Sequence, residues 1–213
     1  NSTSVFSGQE LYAWGTNSTG KLGDNTTVNK SSPVQIGSLT NWSKLFTGTE
    51  HSGAITTSNT LFMWGQNNKG TLGLGNNIDT SSPVQVGALT NLSEVSSGSY
   101  HSVAVKTDGT LWTWGYGNSG VLGDNTTVNK SSPVQIGSLT DWSKVSGGGR
   151  NTAAITTSGE LYAWGYNTNG QLGDNTTVTK SSPVQVGSLT NWSQVSVGDG
   201  HSLAVKSDVT LWS

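Results

Sequence analysis

The chain of 213 residues contains no cysteine, one methionine, four prolines and few charges: Asp, Glu, Lys and Arg together make up 10 % of it. Without cysteine there is no thiol nucleophile, no thiolate metal site and no disulfide. Low charge argues against a solvated disordered tail, and 31 % hydrophobic residues are too few for one large helical core. Ten basic residues stand against twelve acidic ones, so no electrostatic footprint for nucleic acid is present. No run of eighteen apolar residues occurs, which excludes a helical membrane span. Gly, Ser, Thr and Asn make up 109 residues, more than half the chain. Nine Trp stand among them. Side chains that large call for burial, so the chain folds.

A repeat decides the architecture. Trp-Gly recurs at Trp14, Trp64, Trp114 and Trp164; Ser-Ser-Pro-Val-Gln recurs with Pro33, Pro83, Pro133 and Pro183; Gly48, Gly98, Gly148 and Gly198 keep the same step. The period is 50 residues without insertion or deletion. It divides one domain, 1–213, into units 1–50, 51–100, 101–150 and 151–200, with the start of a fifth at 201–213.

Within a unit the signals are strand and turn. Val84–Val86 is a short extended piece after Pro83, a residue that suits the start of a strand. Leu92–Val95 is a second. His101–Lys106 alternates Val103 and Val105 on one face. Asp108-Gly109 makes a tight turn, and Leu111–Trp114 returns. Leu11–Trp14 is apolar throughout, as a sheet covered on both faces requires. No apolar stripe has the helical period. Four short strands per unit form a sheet that cannot bury both faces alone. Radial stacking into a β-propeller solves this for fifty-residue units, whereas a linear β-solenoid repeats at roughly 20–30 residues.

Gly-x-x-His-Ser-x-Ala-Val (Gly98–Val105, Gly198–Val205), Asp-Gly-Thr-Leu-Trp-x-Trp-Gly (Asp108–Gly115) and Asn-x-x-Gly-x-Leu-Gly (Asn167–Gly173), followed by a Pro-Val strand, resemble the regulator of chromosome condensation repeat. The resemblance covers the whole chain. It implies a propeller, typically of seven blades. It also implies a family that ranges from a guanine-nucleotide exchange factor on chromatin to ubiquitin-ligase domains and a secreted β-lactamase-inhibitor protein, so fold does not settle activity. The basic tail and blade-specific loops of the exchange factor are missing, and the units are near copies: Leu122–Gln135 and Leu172–Gln185 differ only at Asn129 and Thr179. Seven blades need about 350 residues at this step. With no initiating Met and a stop at Leu211-Trp212-Ser213, short of the next Trp-Gly, the chain reads as about four blades of a longer array. In a closed four-blade ring, residues 201–213 would compete with 1–13. An open array exposes two apolar blade faces, which invites self-association.

His51, His101 and His201 form a series with Asn151 in the equivalent place of unit three. Side chains on successive blades do not converge within the roughly 2.0–2.1 Å of metal ligation, so they are expected to be structural, tying the strand start to a neighbouring backbone. Asp24, Asp124 and Asp174 head Gly-Asp-Asn-Thr-Thr loops, with Leu74 in their place in unit two. One carboxylate per loop suits Asx-turn capping better than calcium. Trp14, Trp64, Trp114 and Trp164 are expected core; Trp42, Trp142 and Trp192, with Leu92, fill an apolar slot; Trp112 and Trp212 stand where other units have Tyr12, Phe62 and Tyr162. Glycosylation triplets at Asn17, Asn25, Asn41, Asn91, Asn125, Asn175 and Asn191 arise from composition as readily as from function. No phosphate loop, nucleophile elbow or carboxylate pair is present. The expectation is a non-enzyme without metal or cofactor.

Variation between units marks what the fold leaves free. Thr49-Glu50, Ser99-Tyr100, Gly149-Arg150 and Asp199-Gly200 occupy one structural place with four chemistries. After Trp-Gly the series is Thr16, Gln66, Tyr116 and Tyr166. Glu50, Tyr100, Tyr116, Arg150, Tyr166 and Asp199 are therefore the candidate contacts to a partner. The composition and near-identical units lead to the expectation of a binding module in an extracellular or virion-surface assembly, contacting a protein or surface receptor. The alternatives are an intracellular regulatory propeller (exchange factor or ubiquitin-ligase accessory domain) and a secreted enzyme inhibitor.

Overall fold

The structure is a computed structural model that describes residues 8–87, 89–207 and 211–212. The expected overlap of residues 1–7 with the C-terminal unit lies outside these residues, as does the side chain of Trp212. Strands β1 (Tyr12–Gly15) and β2 (Lys30–Gln35) pair with each other, and no further strand joins them among the described residues. Next come β3 (Trp42–Thr47), β4 (His51–Thr56), β5 (Leu61–Gly65) and β6 (Thr80–Gln85), an antiparallel meander in sequence order. The same order recurs in β7 (Leu92–Ser97), β8 (His101–Lys106), β9 (Leu111–Gly115) and β10 (Lys130–Gln135). It recurs again in β11 (Trp142–Gly147), β12 (Asn151–Thr156), β13 (Leu161–Gly165) and β14 (Lys180–Gln185). Finally β15 (Trp192–Val197), β16 (Ser202–Lys206) and β17 (Leu211–Trp212) form a three-stranded sheet. The fold is all-β, built of four-stranded blades as part of a propeller. Helix is confined to a 3-10 turn at Asn118–Gly120 among the described residues.

The sheets are out of phase with units counted from residue 1. Each blade begins at the Trp or Leu of position 42 and ends at position 35 of the following unit, so a blade straddles every unit boundary. The first strand is innermost: β3, β7, β11 and β15 lie next to one another in succession. Ser96 and Ser146 hydroxyls accept from the backbone N–H of Gly147 and Val197 in the next first strand, at 3.1 and 3.0 Å. In the three four-stranded blades the second and third strands are almost wholly buried, as a sheet covered on both faces requires, with polar His51, Ser102, Asn151 and Thr152 buried among the apolar residues. Pro83, Pro133 and Pro183 do not begin their strands as expected. They sit inside β6, β10 and β14, the outermost strands, where the ladder already shifts register. A missing N–H costs nothing there.

Core clusters lie between sheets. One joins Ile55, Leu61 and Met63 of one blade to Leu92, Ala104 and Trp114 of the next. Another joins Val103, Val105 and Leu111 to Trp142, Ala154 and Trp164. Trp42, Leu92, Trp142 and Trp192 are all buried, filling the same slot. Each buried indole contributes on the order of 3 kcal/mol of transfer free energy.

Two ends of the array differ from its middle. Trp64, Trp114 and Trp164 are at most 3 % exposed, whereas Trp14 is 61 % exposed. Its expected burial fails because the loop that covers an indole comes from the preceding blade, and none precedes β1 among the described residues. His201 is likewise exposed while His51 and His101 are buried.

Candidate functional site

Strands one and three of each blade run toward the same face, which carries the turn after strand one and the long loop after strand three. The turns surround the axis. Gly48, Gly98 and Gly148 stand so close to the next turn that a Cβ on Gly98 would strike the carbonyl of Gly148 and the ring of His101. Backbone bonds close the seam: Ser99 N–H to Gly148 O at 3.0 Å and Gly149 N–H to Gly198 O at 3.2 Å. This contact, not a special φ, fixes the glycine step seen in the sequence.

Behind the glycines sit the histidines. His51 Nε2 is 3.0 Å from Ser97 Oγ and His101 Nε2 is 2.9 Å from Thr152 Oγ1, each hydroxyl belonging to the next blade. The expected backbone partner is thus a neighbouring side chain. Burial removes water from both rings and depresses their pKa, to about 3 for His51, where the nearby His101 adds to the effect, and to about 4 for His101. Neutral rings locked between blades are latches. No group of three or more His, Cys, Asp or Glu residues able to hold a metal occurs among the described residues.

The long loops are held by their own polar groups. Asn17 is fully buried; its Oδ1 accepts from Leu22 N–H at 2.9 Å, and its Nδ2 donates to Asp24 Oδ1 and Thr26 O, both at 3.0 Å. Asn67 and Asn167 repeat the plug. Asp24 accepts from Thr26 N–H and hydroxyl and pairs with Lys30 at 3.1 Å. Burial pushes the Asp24 pKa up, but bonds from Thr26, Lys30 and Asn17 outweigh it and leave the group below its usual value. Asp174 repeats the arrangement with Asn167, Thr176 and Lys180; Asp124 keeps Thr126 and Lys130 but has Gly117 in place of the plug, and both are held below their usual value. Asn17, one of the glycosylation triplets, is buried and bonded within its own loop.

On this frame the six candidate contacts fall on one face in coupled groups. Glu50 pairs with Lys21 at 3.0 Å and accepts from Thr19 Oγ1 at 3.1 Å, both from the preceding loop. Tyr100 meets Tyr116 edge-on, centroids 6.4 Å apart, and Lys69 stands 5.7 Å over the Tyr116 ring. The Arg150 guanidinium lies 5.9 Å over Tyr166. Asp199 sits in the turn beside Gly149. Lys21 was not singled out from the sequence. Lys69 stands immediately before Gly70, in the loop that follows Trp64-Gly65. The face combines aromatic rings with pinned cations.

The RCC1-like domain model matches residues 1–213. The chain belongs to the RCC1-like domain family. Solved structures agree in fold: human WBSCR16 superposes with a TM-score of 0.83 at 23 % identity, covering 93 % of this chain and 53 % of that one. Yeast RCC1 (Prp20), bound to Kap60, gives 0.80 at 19 % identity, covering 94 % and 50 %. Prp20p of Saccharomyces cerevisiae, described with its binding to Gsp1p and histones, gives 0.78 at 21 %, covering 93 % and 52 %. This RCC1-like chain therefore spans about half the length of these structures. No curated protein matches it in sequence.

The relatives correct the expectation of an extracellular or virion-surface module. Prp20 is a partner of Kap60, Gsp1p and histones, not a surface appendage. The composition that suggested a surface fibre has a local cause: Asn, Thr and Ser are consumed in loop plugs and inter-blade bonds. Their abundance reports on loops, not on compartment. Among the described residues no helix is long and apolar enough to cross a membrane.

Proposed function

We propose that this chain is part of an intracellular regulatory propeller of the RCC1-like kind, acting by binding a protein partner through its axial-turn face and performing no bond chemistry of its own. One observation carries the reading. The dipeptides that vary between otherwise near-identical units, Thr49-Glu50, Ser99-Tyr100, Gly149-Arg150 and Asp199-Gly200, stand in successive turns of one face; Thr49, Ser99, Gly149 and Asp199 line the opening at its centre, with Tyr116 beside Tyr100 and Tyr166 beside Arg150. Tyr and Arg on a rigid scaffold are the residues that anchor protein contacts. The partners named for Prp20 make a nucleotide-binding regulatory protein the first one to test.

The non-enzymatic reading draws support from the His51–Ser97 and His101–Thr152 pairs. Both rings are 1 % exposed, out of substrate reach, and no carboxylate is bonded to either among the described residues.

The test is release of bound guanine nucleotide from a panel of purified small GTPases, run beside direct binding. Binding that Tyr100→Ala and Arg150→Ala abolish while the fold persists supports the reading. Binding indifferent to every substitution on this face overturns it.

A further inference from the structure

Departures from the repeat converge on one cleft in the middle of the chain. Leu74 and Thr80 replace the Asp and Lys that pair in the other long loops, Asp24 with Lys30, Asp124 with Lys130 and Asp174 with Lys180. Leu92 stands where the other first strands have Trp42, Trp142 and Trp192. Lys106 takes the place of Thr56 and Thr156, and Trp112 that of Phe62 and Tyr162. Leu74, Leu92, Lys106 and Trp112 come from two units, yet they gather where the blade β3–β6 meets the blade β7–β10, both four-stranded.

The substitutions remake the packing there. In the blades on either side, Trp42 meets Phe62 and Trp142 meets Tyr162 edge-on, centroids 5.4 and 5.1 Å apart. Leu92 is too small to fill the same room. Leu89 packs into it instead, 8 % exposed where Leu39, Leu139 and Leu189 are 40, 44 and 41 % exposed. What remains beside Trp112 is an open cleft of about 380 Å³, walled by Leu74, Val86, Leu89, Trp112 and Pro133. Ala88, outside the described residues between Gly87 and Leu89, brings no more than a methyl group.

A single cation stands at this apolar wall. Lys106 Nζ lies 4.3 Å over the Trp112 centroid, and Trp112 Nε1 donates to Thr110 Oγ1 at 2.9 Å, which orients the ring. Lys106 makes no ion pair among the described residues. Asp108 attracts it only through space, because the carboxylate accepts from the Thr110 N–H and hydroxyl, at 3.0 and 2.6 Å. An apolar cleft with one unpaired cation at its rim is complementary to an apolar group that carries a carboxylate beside it.

We propose that this cleft docks a partner segment in which an aromatic side chain is followed by an acidic residue. The ring packs against Leu74, Pro133 and Trp112, and the carboxylate pairs with Lys106. The volume lies at the lower end of the range of ligand pockets, enough for one ring. Leu74, Lys106 and Trp112 are all half-exposed, so a free small molecule would stay wet on one side. A side chain projecting from a partner brings its own cover. Lys106 and Leu111 bound the hairpin at the end of the blade opposite the axial turns, so this site does not depend on the face proposed above.

The test is a titration of the 213-residue chain with the capped peptide Gly-Phe-Asp-Gly. It is followed by the Trp112 indole N–H signal in NMR spectra, assigned through Trp112→Phe. A saturable shift is expected, with Gly-Phe-Asn-Gly and Gly-Ala-Asp-Gly each weaker by roughly tenfold or more, for the loss of one charged contact or one buried ring. Lys106→Thr copies the residue of the neighbouring blades; it should weaken binding to the same degree with the fold intact, and Tyr100→Ala should leave binding unchanged. A Trp112 signal that no peptide moves, or that moves equally with the Asn peptide or in Lys106→Thr, overturns the proposal. Saturable binding of phenylacetate with the peptide inert also overturns it, in favour of a small-molecule site.

Discussion

The indole of Trp164 donates to the carbonyl oxygen of Val121 at 2.8 Å, a bond from the third strand of one blade to the loop of the blade before it. The ring is fully buried, so it fills the inter-blade core and pins the loop together. Trp164→Ala is expected to lower unfolding free energy by roughly 3–5 kcal/mol, as large aromatic truncations do. Trp112 is half-buried, with Lys106 4.3 Å over its ring, and its replacement by Ala should cost about 1 kcal/mol. Urea midpoints of the two variants check the contrast.

Gly98 and Gly200 belong to equivalent turns but differ in their surroundings. A Cβ at Gly98 collides with Gly148 O and the His101 ring; one at Gly200 meets nothing within 4 Å. Gly98→Ala is expected to destabilise by roughly 1–3 kcal/mol and Gly200→Ala by less than about 0.5 kcal/mol. Thermal unfolding of both resolves the difference.

Acid should loosen the blades through the histidines. His51 and His101 have folded pKa values of about 3 and about 4 against an ordinary 6.5. The unfolded chain therefore binds more protons than the folded one between those limits, and stability falls as pH drops from about 6.5 toward 4. Across the full window the rings account for roughly 5 (His51) and roughly 3 kcal/mol (His101). The Asp24, Asp124 and Asp174 carboxyls, held below their usual value, add a loss that begins only near pH 4. His101→Asn copies the residue of unit three, and should flatten the slope between pH 6.5 and 4 in denaturant titrations.

The face proposed for partner binding should be separable from stability. Glu50→Gln removes a half-exposed pair with Lys21, worth at most about 1 kcal/mol. Tyr100→Ala and Arg150→Ala should likewise leave the unfolding midpoint nearly unchanged while abolishing partner binding, measured by calorimetry on the same samples.

The period of 50 and the Trp-Gly marks were enough to read blades, because stacked sheets of one kind demand equal spacing and a large apolar residue at each junction. Blade phase was not legible: a repeat looks the same from any starting point, and only strand pairing shows that Trp42, not Asn1, opens a blade. The fates of Trp14 and His201 were hidden for a related reason. Their local sequence matches the buried copies, and burial comes from a neighbour. Lys21 with Glu50 and Lys69 with Tyr116 are contacts across blades, which spacing within a unit does not reveal. Compartment was misread because Ser, Thr and Asn were weighed as surface composition, while Asn17 and Thr152 are buried bonding partners.

Oxidative footprinting of the indoles, read by mass spectrometry along a denaturant series, tests most directly whether the aromatics are the joints between blades. Trp64, Trp114 and Trp164 should stay unmodified until the chain unfolds and then react together, with the exposed Trp14 reactive beforehand. Modification of any of those three while the β-sheet signal is still native would contradict the interlocked blades.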